Sequence, residues 1–278
     1  MEYTAQPQRM QSVKSNKPSS WFRVLKTHPN IRRRIFCFPH AGGAASYFKQ
    51  WPEAVPEDTE FVVVQYPGRE ERLNHPCINN MEDMVRALFD QLTGNPHLLQ
   101  IPFVIFGHSM GASIGYELIL ELQKAGLSLP VALVASATDA PGYANPTQFH
   151  ISSDNELVEE IVRLSPSLSF LKEHEELLEM VLPALRADYQ LIETYGKRNE
   201  PRPPLPIPIK KLIGDNDSEL SRDDALLWKN QTSANFSLQS FPGGHFYLAD
   251  HYEAVIRVFM ESYKDSSTLS PSLSFQLP

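Results

Sequence analysis

The chain has 278 residues, 42% of them hydrophobic, and a formal net charge of -8, so it can bury one large core and is a poor general binder of nucleic acid, whose phosphates repel it. No uncharged apolar run of about eighteen residues could span a bilayer, and no apolar signal-peptide core stands at the N-terminus, so no membrane partner and a cytoplasmic location are expected. Cys37 and Cys77 are the only cysteines; no disulfide is expected between them, and no Cys/His cluster has metal-ligand spacing, so neither metal nor cofactor is expected.

Residues 1–19 are polar and rich in Ser, Lys and Gln, and read as a disordered tail. Over residues 1–34 the basic side chains Arg9, Lys14, Lys17, Arg23, Lys26, Arg32, Arg33 and Arg34 face Glu2 alone, which leaves the rest of the chain more acidic than the total. One α/β domain is expected over 20–264, with a helical insertion over about 152–195, and a frayed Ser/Pro-rich tail over 265–278. Within the domain, strand-forming runs are Trp21–Lys26, Arg33–Phe38, Phe61–Gln65, Phe103–Phe106, Val131–Ser136, Ile209–Ile213 and Phe236–Phe241. Several are continuously apolar, as strands buried on both faces require.

Helical patterns cover Ser46–Trp51, Met81–Thr93, Met110–Ala125, Arg222–Gln231 and Tyr252–Tyr263, with Asn80 and Ser221 placed as N-caps. Strand–helix alternation predicts a mostly parallel sheet with helices on both faces. Residues 152–195 break the alternation and read as helices without a strand, opened by Ser153-Asp154-Asn155-Glu156 as a capping box, which suits a lid over the sheet. Asp154, Glu156, Glu159, Glu160, Glu173, Glu175, Glu176 and Glu179 are expected on its solvated face. Ile161, Leu164, Leu168, Phe170, Leu171, Leu177, Leu178 and Val181 are expected inward. The run Pro201–Pro208 reads as a stiff connector into the sixth strand.

Gly107-His108-Ser109-Met110-Gly111 carries the chemistry. It has the Gly-x-Ser-x-Gly form of a nucleophile elbow, with a strand-like run before it and a helical run after it. A serine hydroxyl needs a base and an acid that orients the base, and in this arrangement the chain order is Ser, Asp, His. His245, just past the last strand in Pro242-Gly243-Gly244-His245-Phe246, is the candidate base; His251 competes weakly, and His108 is assigned a structural place. Leu212-Ile213-Gly214-Asp215-Asn216-Asp217 offers two acids. Asp217, fourth from the glycine, is favoured, while Asp215 could shape the turn by Asx bonding. An oxyanion needs two backbone donors. One is the Met110 N–H; the other lies in the Gly-rich loop Phe38–Ser46.

Five blocks in this order resemble the type II thioesterases. They are Phe36-Cys37-Phe38-Pro39-His40-Ala41-Gly42-Gly43, Tyr66-Pro67-Gly68-Arg69-Glu70-Glu71-Arg72, Gly107–Gly111, Leu182-Pro183-Ala184-Leu185-Arg186-Ala187-Asp188-Tyr189 and Pro242-Gly243-Gly244-His245-Phe246-Tyr247. The resemblance spans roughly residues 33–262. It implies an α/β-hydrolase fold, mostly parallel with a helical lid, and hydrolysis of acyl thioesters on the phosphopantetheine arm of carrier proteins in nonribosomal peptide and polyketide synthesis. By motif it implies Ser109 as nucleophile, His245 as base, Asp217 as orienting acid, and the Ala41 and Met110 amides as oxyanion donors. The partners implied are acylated carrier proteins, and a monomer is expected. Medium-chain acyl hydrolysis for fatty-acid synthesis, a small-molecule esterase or acyltransferase, and a non-catalytic binding protein stand as alternatives. The chain departs from the family where a Gly-Gly-Thr-Pro stretch is usual: it reads Leu164-Ser165-Pro166-Ser167-Leu168.

Overall fold

The computed structural model describes residues 21–143, 147–195 and 202–268. The tail expected over 1–19, the end of the tail expected over 265–278, and the start of the proline-rich connector lie outside them. Seven strands form one sheet: β1 (Phe22–Lys26), β2 (Arg33–Phe38), β3 (Thr59–Val64), β4 (Phe103–His108), β5 (Ala132–Ser136), β6 (Ile209–Gly214) and β7 (Phe236–Phe241). Their order is β1-β3-β2-β4-β5-β6-β7. Only the β1–β3 pair is antiparallel among these neighbours.

Strand residues alternate between two cores because successive side chains leave opposite faces of a sheet. Phe36, Phe38, Val62, Val64, Phe103 and Ile105 pack on one side with α1 (Met81–Gly94) and α2 (Met110–Lys124). Ile35, Cys37, Phe61, Val63, Val104 and Phe106 pack on the other with Phe48, Trp51 and the helix α6 (Leu248–Thr268). The hydrophobic stripe of α1 (Met81, Met84, Val85, Leu88, Leu92) explains its seat, and Asn80 caps it by accepting the Asp83 N–H. Ser221 caps the short α5 (Arg222–Leu226) in the same way.

Three helical readings are corrected. The 46–51 region is two 3-10 turns, Ala45–Phe48 and Trp51–Ala54, rather than one helix; Pro52 lacks the N–H that a continuous helix would need. The helix expected over 222–231 stops at Leu226 and continues as a 3-10 turn, Leu227–Gln231. There the buried Trp228 donates its indole N–H to Thr138 O at 2.9 Å. The last helix, expected from Tyr252, begins at Leu248 and bends at His251 (φ -120°, ψ 19°).

Between β5 and β6 the chain leaves the sheet and forms α3 (Asp154–Leu164), a 3-10 stretch (Pro166–Glu173) and α4 (Glu175–Tyr195). The capping box at Ser153 and Glu156 is present. Leu157, Ile161, Leu171 and Leu185 form a small core of their own, separate from the two sheet cores. This unit is the lid.

Candidate active site

The site is built where four parallel strands end. In an open α/β sheet the crevice lies beyond the carboxyl ends of strands, at the point where strand order reverses. Here that point lies between β2 and β4, which pair with Phe38 opposite Gly107. The loop after β2, carrying Ala41, therefore rises beside Ser109 at the end of β4. On the same rim β6 and β7 pair with Gly214 opposite Phe241, so the loops carrying Asp217 and His245 also rise together.

Ser109 occupies the turn between β4 and α2 with φ 52° and ψ -122°. A non-glycine residue holds such a conformation only where its surroundings fix it. Its N–H donates to Ser136 O, at the end of β5, at 2.8 Å. Gly111 makes the turn possible: a Cβ there would stand 2.1 Å from Phe38 O, so only glycine lets α2 approach β2 this closely. Met110 is the first residue of α2, where backbone N–H groups have no intrahelical acceptor and are free for an anion.

His245 Nδ1 donates to Asp217, at 3.1 Å from both carboxylate oxygens. A carboxylate can only accept here, so the proton sits on Nδ1 and Nε2 is the basic nitrogen. The Asp217 side chain is fully buried and that of His245 is 7% exposed, which keeps the pair in low dielectric. The Asx-type bond expected of Asp215 is made instead by Asp217, whose Oδ1 accepts the Glu219 N–H at 2.9 Å, while Asp215 is exposed.

Two further imidazoles surround His245. His108 is buried, as its structural assignment requires: its Nδ1 shares a hydrogen bond with Ser136 Oγ at 2.8 Å, and that hydroxyl meets Tyr247 OH at 2.7 Å. His108 lies 5.2 Å from His245 between ring centroids. His40 packs edge-on against Tyr47 and Phe246, each at 4.8 Å. Burial, and then the neighbouring His245 and Arg69, push the His40 pKa down to about 3. Burial, with His245 and His40 nearby, also holds His108 well below the ordinary range. Of the three rings, His245 alone has a carboxylate partner. Nothing local in the sequence marks His40 beyond its place in the glycine-rich loop after β2, because β2 and β7, which lead to His40 and His245, stand four positions apart in the sheet.

One cavity of about 900 Å3 is lined by Ser109, Met110, Ala41 and His245 on its sheet side and by Ile161, Leu164, Leu168, Leu171, Leu177, Val181 and Leu185 on its lid side. The apolar lid residues expected inward thus line the cavity, apart from Leu178; Phe170 lines it too, although it is 44% exposed. Glu160 is a correction. Instead of joining the solvated face, it is 7% exposed, lines the cavity and pairs with Arg163 at 2.7 Å. The atypical stretch contributes Leu164, Ser165, Ser167 and Leu168 to the wall.

Behind the acid, Lys211 is fully buried and donates to Thr138 O at 2.8 Å. Burial pushes its pKa down to about 7, against the pull of Asp139 and Asp217. No group of three or more His, Cys, Asp or Glu among the described residues could hold a metal ion. No helix among them is long and apolar enough to cross a membrane.

A strained serine on a strand-to-helix turn, with a His–Asp pair on neighbouring strand ends of the same rim, defines a serine hydrolase of the α/β-hydrolase fold. A family model described as "Thioesterase domain" matches residues 33–263. The chain belongs to the thioesterase family, in its type II branch. Thioesterase PikA5 of Streptomyces venezuelae is 36% identical over 235 residues, which cover 84% of this chain and 82% of that protein. Gramicidin S biosynthesis protein GrsT of Aneurinibacillus migulanus is 31% identical over 239 residues, 85% of this chain and 91% of that one. The structure of the type II thioesterase BorB, from the borrelidin biosynthetic cluster, superposes with a TM-score of 0.79 at 36% identity, covering 87% of this chain and 97% of that one.

Proposed function

We propose that this enzyme hydrolyses acyl thioesters from the phosphopantetheine arm of carrier proteins in nonribosomal peptide or polyketide assembly, clearing units that stall the line. The observation that carries the mechanism is that His245, hydrogen-bonded to Asp217 behind it, lines the same cavity as the strained Ser109. Relatives named for gramicidin S biosynthesis, the borrelidin cluster and a colibactin NRPS/PKS pathway support the substrate class.

Ser109 Oγ attacks the thioester carbonyl while His245 Nε2 takes its proton. Negative charge on the carbonyl oxygen is held by the Met110 and Ala41 amides. Collapse breaks the C–S bond, and His245 returns the proton to the leaving thiolate. The acyl group is now an ester on Ser109. A water, deprotonated by His245, attacks that ester; a second collapse frees the acid and returns the proton to Ser109. Asp217 holds the imidazole tautomer throughout and stabilises the imidazolium. The acyl chain lies under the lid, against Leu168, Leu171 and Leu177.

Turnover of acyl-carrier proteins, acyl-CoA and p-nitrophenyl esters, compared by kcat/KM, tests the substrate class, with carrier-bound thioesters expected to lead; an oxygen ester in the lead would reject it. Ser109→Ala should cost about 10⁶ in kcat with the fold intact. Asp217→Asn should cost about 10⁴, whereas the exposed Asp215→Asn should be nearly neutral. Full turnover by Ser109→Ala excludes the mechanism.

A further inference from the structure

Two of the five sequence blocks play no part in the serine chemistry: Tyr66–Arg72, after β3, and Leu182–Tyr189, in the lid helix α4. They meet beneath the loop that follows β2. Arg69 and Asp188 are both buried. They pair through two bonds, NH1 to Oδ2 at 2.6 Å and NH2 to Oδ1 at 2.8 Å.

The pair does not end there. Asp188 Oδ2 also accepts the Gly42 N–H at 2.8 Å, and Arg69 NH1 also donates to Gly43 O at 3.1 Å. Gly43 N–H closes on His40 O at 2.9 Å, and Gly42 has φ +75°. A four-residue turn closed in this way, with positive φ at its third residue, is of type II. Turns of types I and II differ by a flip of the central peptide, here Ala41–Gly42. The Asp188 carboxylate selects the flip that turns the Gly42 N–H toward α4, and with the Arg69 bond to Gly43 O it anchors the far end of the turn whose first peptide, His40–Ala41, carries the Ala41 N–H. The lid also meets the turn sterically, since a Cβ on Gly42 would stand 2.9 Å from Leu185 Cδ1. Farther along, Gln65 accepts the Ala45 N–H at 2.9 Å and donates to Arg69 O at 3.3 Å, so the same segment braces the loop at a third point.

We propose that Arg69 and Asp188 are positioning residues that hold the His40–Gly43 turn in the conformation presenting the Ala41 N–H to the oxyanion, so that the oxyanion hole is complete only when lid helix α4 is seated. This rests on the reading of Ala41 as an oxyanion donor. A buried ion pair is weak support for stability by itself, because desolvation offsets its attraction. What this pair supplies beyond an apolar contact is two fixed bonds to loop peptides. Those bonds come from a segment after β3 and from the lid, so neither alone sets the loop.

The test compares two inhibitors with the same acyl chain. A non-hydrolysable thioether analogue reports ground-state binding. A trifluoromethyl ketone adds Ser109 Oγ at its carbonyl carbon, placing the former π electrons on oxygen as an oxyanion while the serine proton passes to His245. In Asp188→Asn and Arg69→Lys, kcat/KM and trifluoromethyl ketone affinity should both fall about a hundredfold, with thioether affinity within about twofold. The paired replacement Arg69→Met/Asp188→Leu leaves no unpaired buried charge and guards against misfolding of the single variants; it should fold and show the same selective loss. If the folded variants keep the wild-type ratio of ketone to thioether affinity, the pair is structural only and the proposal is overturned. If wild-type enzyme itself binds the ketone no better than the thioether, the oxyanion reading fails first and the proposal falls with it.

Discussion

Three imidazoles lie within one small volume, and the protein separates them by partner. His245 has Asp217, His108 has the Ser136 hydroxyl, and the buried His40 Nδ1 has no hydrogen-bond partner. Burying His40 uncharged makes it a cost in acid. Its pKa is about 3 in the fold against an ordinary 6.5, so between those values the unfolded chain binds a proton that the native state refuses. Stability therefore rises with pH across this window and is lost as pH falls through it. His40→Phe should lower the acid-side slope of unfolding free energy by up to about 1.4 kcal/mol per pH unit, read from urea midpoints between pH 4 and 7. An unchanged slope would show that His40 does not titrate this way. At this scale the strained serine turn and the histidine that meets Asp217 were legible because a Gly-x-Ser-x-Gly elbow and a Gly-Gly-His loop are local patterns. His40 was not legible, because its significance lies in the rings that surround it.

At the scale of elements, the lid is the part that stands most nearly alone. Its core of Leu157, Ile161, Leu171 and Leu185 is separate from the sheet cores, and its first helix depends on the Ser153–Glu156 capping box. Ser153→Ala should cost about 1 kcal/mol locally. Amide exchange across 154–164 should quicken roughly fivefold while β4 and β5 stay protected; equal quickening in the sheet would mean that the lid does not open by itself. The capping box, the N-caps Asn80 and Ser221 and the apolar runs of the parallel strands could be read from the sequence because each is a contact within a few residues. The break between the turns Ala45–Phe48 and Trp51–Ala54 and the 3-10 winding around Trp228 were missed. Helical periodicity does not separate a 3-10 turn from an α-helix over so few residues, and the partner of Trp228, Thr138 O, lies 90 residues away in the chain. Glu160 was misplaced for a similar reason: an acid on a helix reads as solvated until Arg163 and the cavity wall are seen beside it.

For the whole molecule, lid and sheet together enclose the reaction. Leu177 faces the cavity from α4, so Leu177→Trp should shorten the preferred acyl chain. Each methylene excluded from the apolar wall should lower kcat/KM roughly fourfold, from about 0.8 kcal/mol of burial. A chain-length profile identical to wild type would place the acyl group elsewhere. The chain by itself determined the alternating core, the parallel sheet, the lid as an insertion, and the serine, histidine and acid in hydrolase order, because local periodicity and turn chemistry specify these. The reversal of strand order between β2 and β4, which brings residues 41, 109, 217 and 245 to one rim, was decided by the tertiary structure. So was the meeting of Arg69 with Asp188 under the loop after β2. Contacts across 119 residues arise only when strands and helices pack, and no local preference encodes them.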